Sequence, residues 1–240
     1  MIDITNLKQE INTYGGSELK ATYIINNDKY MVKMPDPVRR KNLDINYMNN
    51  QFSEYIGCHI FASVGIPVQE TMLVKITKNG KEKIAVACKD FLNKDEELIE
   101  IGNVSLSLST EKKYDASIED VYEMINILSK NYKLNKNDAI SRFWDAFVVD
   151  TLIGNTDRHL GNWGFIKKGD NLIMAPVYDC GSSLHPLLSE EIQSELMKNP
   201  VEFKSKSYNL ASVYKMNGQK IIYHEIFKNP PVDLKEAIKK

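Results

Sequence analysis

Three side chains in the middle of the chain have the types and spacing of a phosphoryl-transfer site. Asp157 and Asn162 share one polar loop in "DTLIGNTDRHLGNWGFI" (150–166), and Asp179 follows in "APVYDCGSS". Asn162 and Asp179 offer hard oxygen atoms. Such donors suit Mg²⁺, which takes few protein ligands and fills its shell with water and phosphate oxygens. Asp157, in the same loop, is placed to accept a hydroxyl proton. An Asp, an Asn five positions on and a later metal-binding Asp is the order found in kinase catalytic loops.

The first third of the chain holds a complement to these groups. "YGGSELK" (14–20) is a short turn containing Gly15, Gly16 and Ser17, whose backbone N–H groups are suited to face phosphate. Lys33 lies inside the apolar run "YMVKM", where an ammonium group needs an anion. Glu54 lies beside the apolar stripe of a predicted helix, on the side of Cys58 and Phe61. A strand lysine held by a helix glutamate is the device by which kinases aim a lysine at nucleotide phosphates.

Several elements must position these residues. "LKATYII" (19–25) and "KYMVKM" (29–34) read as strands joined at "NND", a hairpin signal. Asp44 is a candidate N-cap for a helix with apolar residues at Ile45, Met48, Phe52, Tyr55, Ile56 and Ile60, ended by Gly65 and Pro67. "QETMLVKI" (69–76) and "KIAVACKDF" (83–91) read as two more strands. Residues 92–116, acidic and then serine-rich, read as a linker and surface loop. Two helices follow, one opening at Ser117 and one from about Asp138, the second with a wide apolar stripe and Gly154 as its stop. "WGFIKK" and "LIMAPV" form a hairpin, which brings Asn162 and Asp179 together at its open end. Residues 187–240 are weakly patterned and read as helical in part.

Composition narrows the classes. The chain has 240 residues, 42% hydrophobic and 26% charged, an ordinary globular balance for one two-lobed domain or two small ones. A net charge of -1 gives no global attraction to nucleic acid or anionic membrane. No apolar run approaches the ~18 residues of a spanning helix, and the N-terminus lacks a signal-peptide layout. Cys58, Cys88 and Cys180 form no paired motif, so a reduced, cytoplasmic setting is expected and a zinc site is not. Export by a non-classical route stays open.

The combination "LIGNTDRHLGNWGF" and "APVYDCGSS", with "FSEYIGCHIFASVGIPVQET" and "VACKDF", resembles the HipA-like serine/threonine kinases, and within them the CtkA-type branch. The likeness runs from about residue 14 to 185 and is strongest in the catalytic loop. It implies an α+β, two-lobed protein-kinase-like fold, with a small β-rich N-lobe (1–91) and a helical C-lobe (92–240) clasping ATP. It further implies Asp157 as catalytic base and Asn162 and Asp179 as Mg²⁺ ligands. Lys33, paired with Glu54, becomes the phosphate-binding lysine. Cys88, Lys89, Asp90 and Phe91 become the adenine-contacting hinge. The implied acceptor is a Ser or Thr hydroxyl on a protein, the chain itself included, with Ser17 and the serines of 105–109 as candidate acceptors.

Two features depart from ordinary kinases. The usual His-Arg-Asp order is reversed to Asp157-Arg158-His159, and the chain is short after Asp179 beside family members with a larger helical C-lobe. Arg158 suits either a carboxylate partner or a phosphate, and the sequence does not choose between them. His159 reads as structural, because the base role is filled. Asp150, on the apolar face of its helix, reads as an anchor for the loop. Two rival functions remain: a lipid kinase, since phosphoinositide-kinase-like proteins share an Asp-Arg-His loop, and a nucleotide-binding regulatory or toxin module that acts by binding.

Overall fold

A computed structural model of the chain describes residues 1–11, 20–35, 49–78, 80–104 and 115–240. Gly15, Gly16, Ser17, Asp44 and the serines of 105–109 lie outside the described residues.

The N-terminal part is a six-stranded sheet with one helix. Its strands are β1 (Ile2–Asp3), β2 (Gln9–Glu10), β3 (Lys20–Ile25), β4 (Asp28–Lys33), β5 (Thr71–Lys78) and β6 (Lys81–Lys89), in the order β1-β5-β6-β4-β3-β2. All neighbours are antiparallel except β1, which runs parallel to β5. Asn26 and Asn27 turn β3 into β4 with φ of 52° and 71°. Asn tolerates this left-handed pair, and such a turn matches the twist of the flanking strands. Tyr30 and Val32 alternate inward to a core with Tyr23, Ile25 and Val74. Lys33 therefore points to the opposite face, the one covered by helix α1 (Asn50–Ser63), which packs on β5 and β6.

Helix α1 is described from Asn50, with Asn49 as its non-helical cap. Gly65, at φ 76°, turns the chain away after it.

The region read as a linker differs. It contains β7 (Glu97–Glu100) and a 3₁₀ turn (Ile101–Asn103). Strand β7 adds to the hairpin of β8 (Gly164–Lys168) and β9 (Asn171–Met174), making a three-stranded sheet β7-β8-β9. The acidic composition hid this strand, because only one of its edges is paired.

Helix α2 (Ile118–Asn131) opens with a capping box, Ser117 and Asp120 bonding each other's backbone N–H groups. Helix α3 (Lys136–Ile153) is capped by Asn135 and stopped by Gly154 at φ 64°. Trp144, Phe143 and Phe147 of α3 join Val121, Ile125 and Leu128 of α2 in the main C-terminal core.

The tail is more ordered than its pattern indicated. Helices α4 (Glu190–Lys198) and α5 (Pro200–Tyr208) lead to a hairpin, β10 (Ala211–Met216) and β11 (Gln219–Ile222), then α6 (Tyr223–Ile226) and α7 (Val232–Ile238). Tyr214, Tyr223 and Leu234 complete the main core. Trp163 Nε1 donates to Tyr214 Oη at 2.8 Å, and Tyr223 Oη donates to the Asn155 carbonyl. The tail thus braces the polar loop from behind.

Because Leu234 is fully buried in this core, Leu234→Ala should destabilise the fold by about 2–5 kcal/mol, the range for deleting a buried leucine side chain. Urea denaturation reads this directly. A change under about 0.5 kcal/mol, the size of an ordinary surface substitution, would mean that α7 does not dock as described.

Candidate active site

The loop between α3 and β8 is organised by a buried ion pair. Arg158 Nε donates to Asp150 Oδ2 and Nη2 to Asp150 Oδ1, each at 3.0 Å, a two-pronged fork. Asp150 lies in the last turn of α3. Its Oδ1 also accepts from Asn155 Nδ2 at 2.8 Å. Arg158 Nη1 donates to the Asn162 carbonyl at 3.1 Å and to the Tyr178 carbonyl, and Nη2 reaches Cys180 Sγ at 3.3 Å. The ring of Phe61 on α1 faces the guanidinium, 5.9 Å away. Burial alone would lower the guanidinium pKa, but Asp150 and Cys180 hold it well above its ordinary value. The pairing with Asp150 answers the choice that the sequence left open for Arg158. Asp150 anchors the loop.

The remaining loop residues are fixed by short bonds. Asn162 Nδ2 donates to the Asp157 carbonyl at 2.8 Å, and the Asn155 Oδ1 accepts from the Asp157 N–H at 3.2 Å. His159 Nδ1 accepts from the Gly161 N–H at 3.0 Å, which places the ring proton of a neutral imidazole on Nε2. His159 is buried and holds the turn.

Asp179 follows the β8–β9 hairpin in a left-handed conformation, φ 60°, uncommon for a residue with a Cβ. One of its oxygens, Oδ1, accepts from Lys33 Nζ at 3.0 Å. The same ammonium donates to Glu54 Oε2 at 3.3 Å. Lys33 and Glu54 are buried, 3% and 1% exposed. Burial would raise the Asp179 carboxyl, but Lys33 beside it and Arg158 behind it hold it down at about 2. So Lys33, Glu54 and Asp179 form one cluster, and Arg158 bonds Asn162 and the residues on either side of Asp179. Among the described residues no three His, Cys, Asp or Glu side chains gather as a metal site. The candidate donors here are one amide and one carboxylate.

The segment Cys88–Phe91 closes the N-terminal sheet. Cys88 sits in the ladder between Met31 and Thr71. The Lys89 N–H donates to the Glu70 carbonyl at 2.9 Å, and its carbonyl accepts from Gln69 Nε2 at 2.8 Å. Lys89 Nζ pairs with Asp28 at 2.7 Å, and Asp90 pairs with Lys29 at 3.0 Å. The Phe91 ring lies 5.9 Å from that of Tyr178, next to Asp179. Tyr178 is a site neighbour that sequence reasoning missed. Its place directly before Asp179 was the available signal.

The family profile of the HipA-like C-terminal domain matches residues 13–229. The chain belongs to this family. It is 37% identical over 218 residues to the serine/threonine-protein kinase CtkA of Helicobacter pylori strain J99, an overlap of 88% of this chain. The chain spans 64% of that relative's length. The crystal structure of the Helicobacter pylori proinflammatory kinase CtkA superposes with a TM-score of 0.84 at 33% identity, covering 99% of this chain and 81% of the other. HipA of Shewanella oneidensis MR-1, solved with HipB and operator DNA, gives a TM-score of 0.54 at 13% identity, covering 99% of this chain and 57% of the other, which shows the fold alone. The HipA-like chain described here therefore has an α+β kinase fold, a sheet-rich lobe plus helices. Among its described residues no helix is long and apolar enough to cross a membrane.

The depressed Asp179 carboxyl sets a pH dependence. Its stabilising interaction is fully present above the unfolded carboxyl's pKa of about 4, and it is lost as pH falls through the folded value of about 2. The stability difference between wild type and Asp179→Asn should be constant from pH 8 to about 5 and shrink only below about 4. Urea titrations across that range check this. A difference that changes between pH 8 and 6 would contradict the ion pair.

Proposed function

We propose that this chain is an ATP- and Mg²⁺-dependent kinase that transfers the γ-phosphate to Ser or Thr hydroxyls of proteins, its own included. The observation that carries the proposal is the shared Lys33 ammonium, bonded to both Glu54 and Asp179. This places a fixed cation next to the candidate metal ligand, with Asp157 on the loop that the same scaffold holds. The relative's description as a serine/threonine-protein kinase supports the choice of acceptor.

Each residue has a stated role. Asn162 commits its amide nitrogen to the Asp157 carbonyl, which turns its oxygen into the donor for a cation. Asp179 commits Oδ1 to Lys33, which assigns Oδ2 to the same cation. Two hard oxygens with room for water and phosphate fit Mg²⁺. When bound, Mg²⁺ neutralises charge on the phosphate oxygens. Lys33, oriented by Glu54, holds a phosphate oxygen by charge. Asp157 orients the acceptor hydroxyl and takes its proton.

In the N-lobe, Cys88, Lys89, Asp90 and Phe91 are assigned to the adenine edge, a segment held in place by the Lys89 N–H on the Glu70 carbonyl and the Asp90 N–H on the Lys29 carbonyl. Phe91 and Tyr178 supply apolar surface there. Gly15, Gly16 and Ser17 are assigned to the phosphate-facing turn. The working division between lobes is 1–91 and 92–240. Ser17 is the first candidate for self-phosphorylation, because a phosphate there would repel the ATP phosphates and lower activity.

Two substitutions separate chemistry from binding. Asp157→Asn should keep near-normal MgATP affinity and lower phosphate transfer by roughly 10²–10⁴-fold, the contribution of a positioned base. Asp179→Asn should lower affinity and transfer together. Calorimetry measures binding, and labelled ATP with mass spectrometry measures transfer. Wild-type transfer by Asp157→Asn, or no MgATP binding by the wild-type chain, would end this assignment.

A further inference from the structure

Protein kinases that switch by helix movement need a helix free to leave the sheet-to-helix ion pair. The segments at both ends of α1 are tied to the C-terminal half. At its N-terminal end the Asn49 N–H donates to the Pro186 carbonyl at 2.8 Å, tying the helix to the segment after Asp179. Beyond its C-terminal end the Gln69 N–H donates to the Val177 carbonyl at 2.8 Å, and the Val177 N–H donates to the Pro67 carbonyl at 2.9 Å. Arg142 of α3 donates to that same Pro67 carbonyl at 3.2 Å. Between these ties Cys58 and Phe61 of α1 share a buried apolar cluster with Val149 and Ile153 of α3 and with Val177 and Cys180.

Contact at the middle of α1 depends on two missing side chains. Gly57, one turn beyond Glu54, is buried against Cys180. A Cβ at Gly57 would lie 2.8 Å from the Cys180 Cβ, closer than two such carbons approach, and the struck atom is fixed to backbone. Opposite it, a Cβ at Gly181 would lie 3.3 Å from Glu54 Oε2. The helix and the Asp179–Gly181 segment therefore meet nearly backbone to backbone, with Glu54 and Lys33 at the seam.

We infer that α1 is locked to the C-terminal half in the position that pairs Glu54 with Lys33, with Gly57 as the positioning residue that permits the approach. The inference rests on the kinase reading for its meaning: the Lys33–Glu54 pair is a permanent part of the catalytic frame.

Two measurements test the lock. Spin labels at Ile56→Cys on α1 and Ile173→Cys on β9 occupy exposed positions, while the three native cysteines are buried. Pulsed electron–electron resonance should give one narrow distance distribution, unchanged by MgATP. Two populations, or a shift on adding MgATP, would overturn the lock. In the second measurement Gly57→Ala should remain folded, lose about 10²-fold in kcat through a displacement of under an ångström, and raise the KM for ATP. A Cys180→Gly change on that background removes the struck Cβ and should recover part of kcat. Gly57→Ala with wild-type kcat and KM would overturn the positioning role. If Gly57→Ala fails to fold, the spin-label distances decide alone. A wild-type chain that transfers no phosphate would remove the kinase reading, and the distances would still judge the lock.

Discussion

The Arg158 guanidinium is buried, and the polar loop and the Asp179 segment both hang from it. Its fork on Asp150 joins the loop to the end of α3. Its other bonds reach the backbone at Asn162 and Tyr178 and the sulfur of Cys180. Removing a charged group from water costs several kcal/mol unless its partners satisfy it. Here each guanidinium nitrogen has a partner, so the geometry is tightly constrained. The candidate metal ligands, Asn162 and Asp179, come from opposite ends of a hairpin, and the same cation fixes the backbone at Asn162 and on both sides of Asp179. The reversed order Asp157-Arg158-His159 has a physical sense in this frame. The arginine points inward as a strut, the histidine closes the turn, and the aspartate is half-buried beside them.

A second constraint is charge. Arg158 and Asp150 neutralise one another behind the loop. In front of it, Lys33 faces Glu54 and Asp179, with Asp157 on the adjoining loop. Asp179 stays ionised throughout the neutral range because Lys33 and Arg158 favour its charged form. Phosphoryl transfer draws chiefly on placement and charge neutralisation, so a rigid, pre-ionised cluster is what the proposed reaction requires.

Much of this was legible in the sequence where local pattern carries the signal. Gly154 marks the end of α3 because a left-handed residue is needed there. A lysine in the apolar run of β4 called for an anion, and the helix carrying Glu54 supplied one. The hairpin between Asn162 and Asp179 followed from two β-type runs around "GDN". The rest depends on partners distant in sequence. Strand β7 is acidic and pairs with β8 some seventy positions later (Glu97 with Lys167). Two-residue β1 is defined only by its pairing with β5. Tyr214 and Tyr223 reach the core from a polar tail whose apolar residues are too sparse to show a period. Arg158 was ambiguous because carboxylate and phosphate present it with the same oxygen geometry. Only the fold shows which one is near.

The central claim is that the Arg158 fork places the candidate catalytic groups. Arg158→Lys tests it most directly, since lysine keeps the charge and loses the fork. MgATP affinity by calorimetry and labelled-phosphate transfer should be measured on the folded variant beside the wild type. The account predicts transfer reduced by about 10²-fold or more, with weaker MgATP binding, as loop and hairpin lose their common partner. A folded Arg158→Lys variant with wild-type affinity and rate would contradict it.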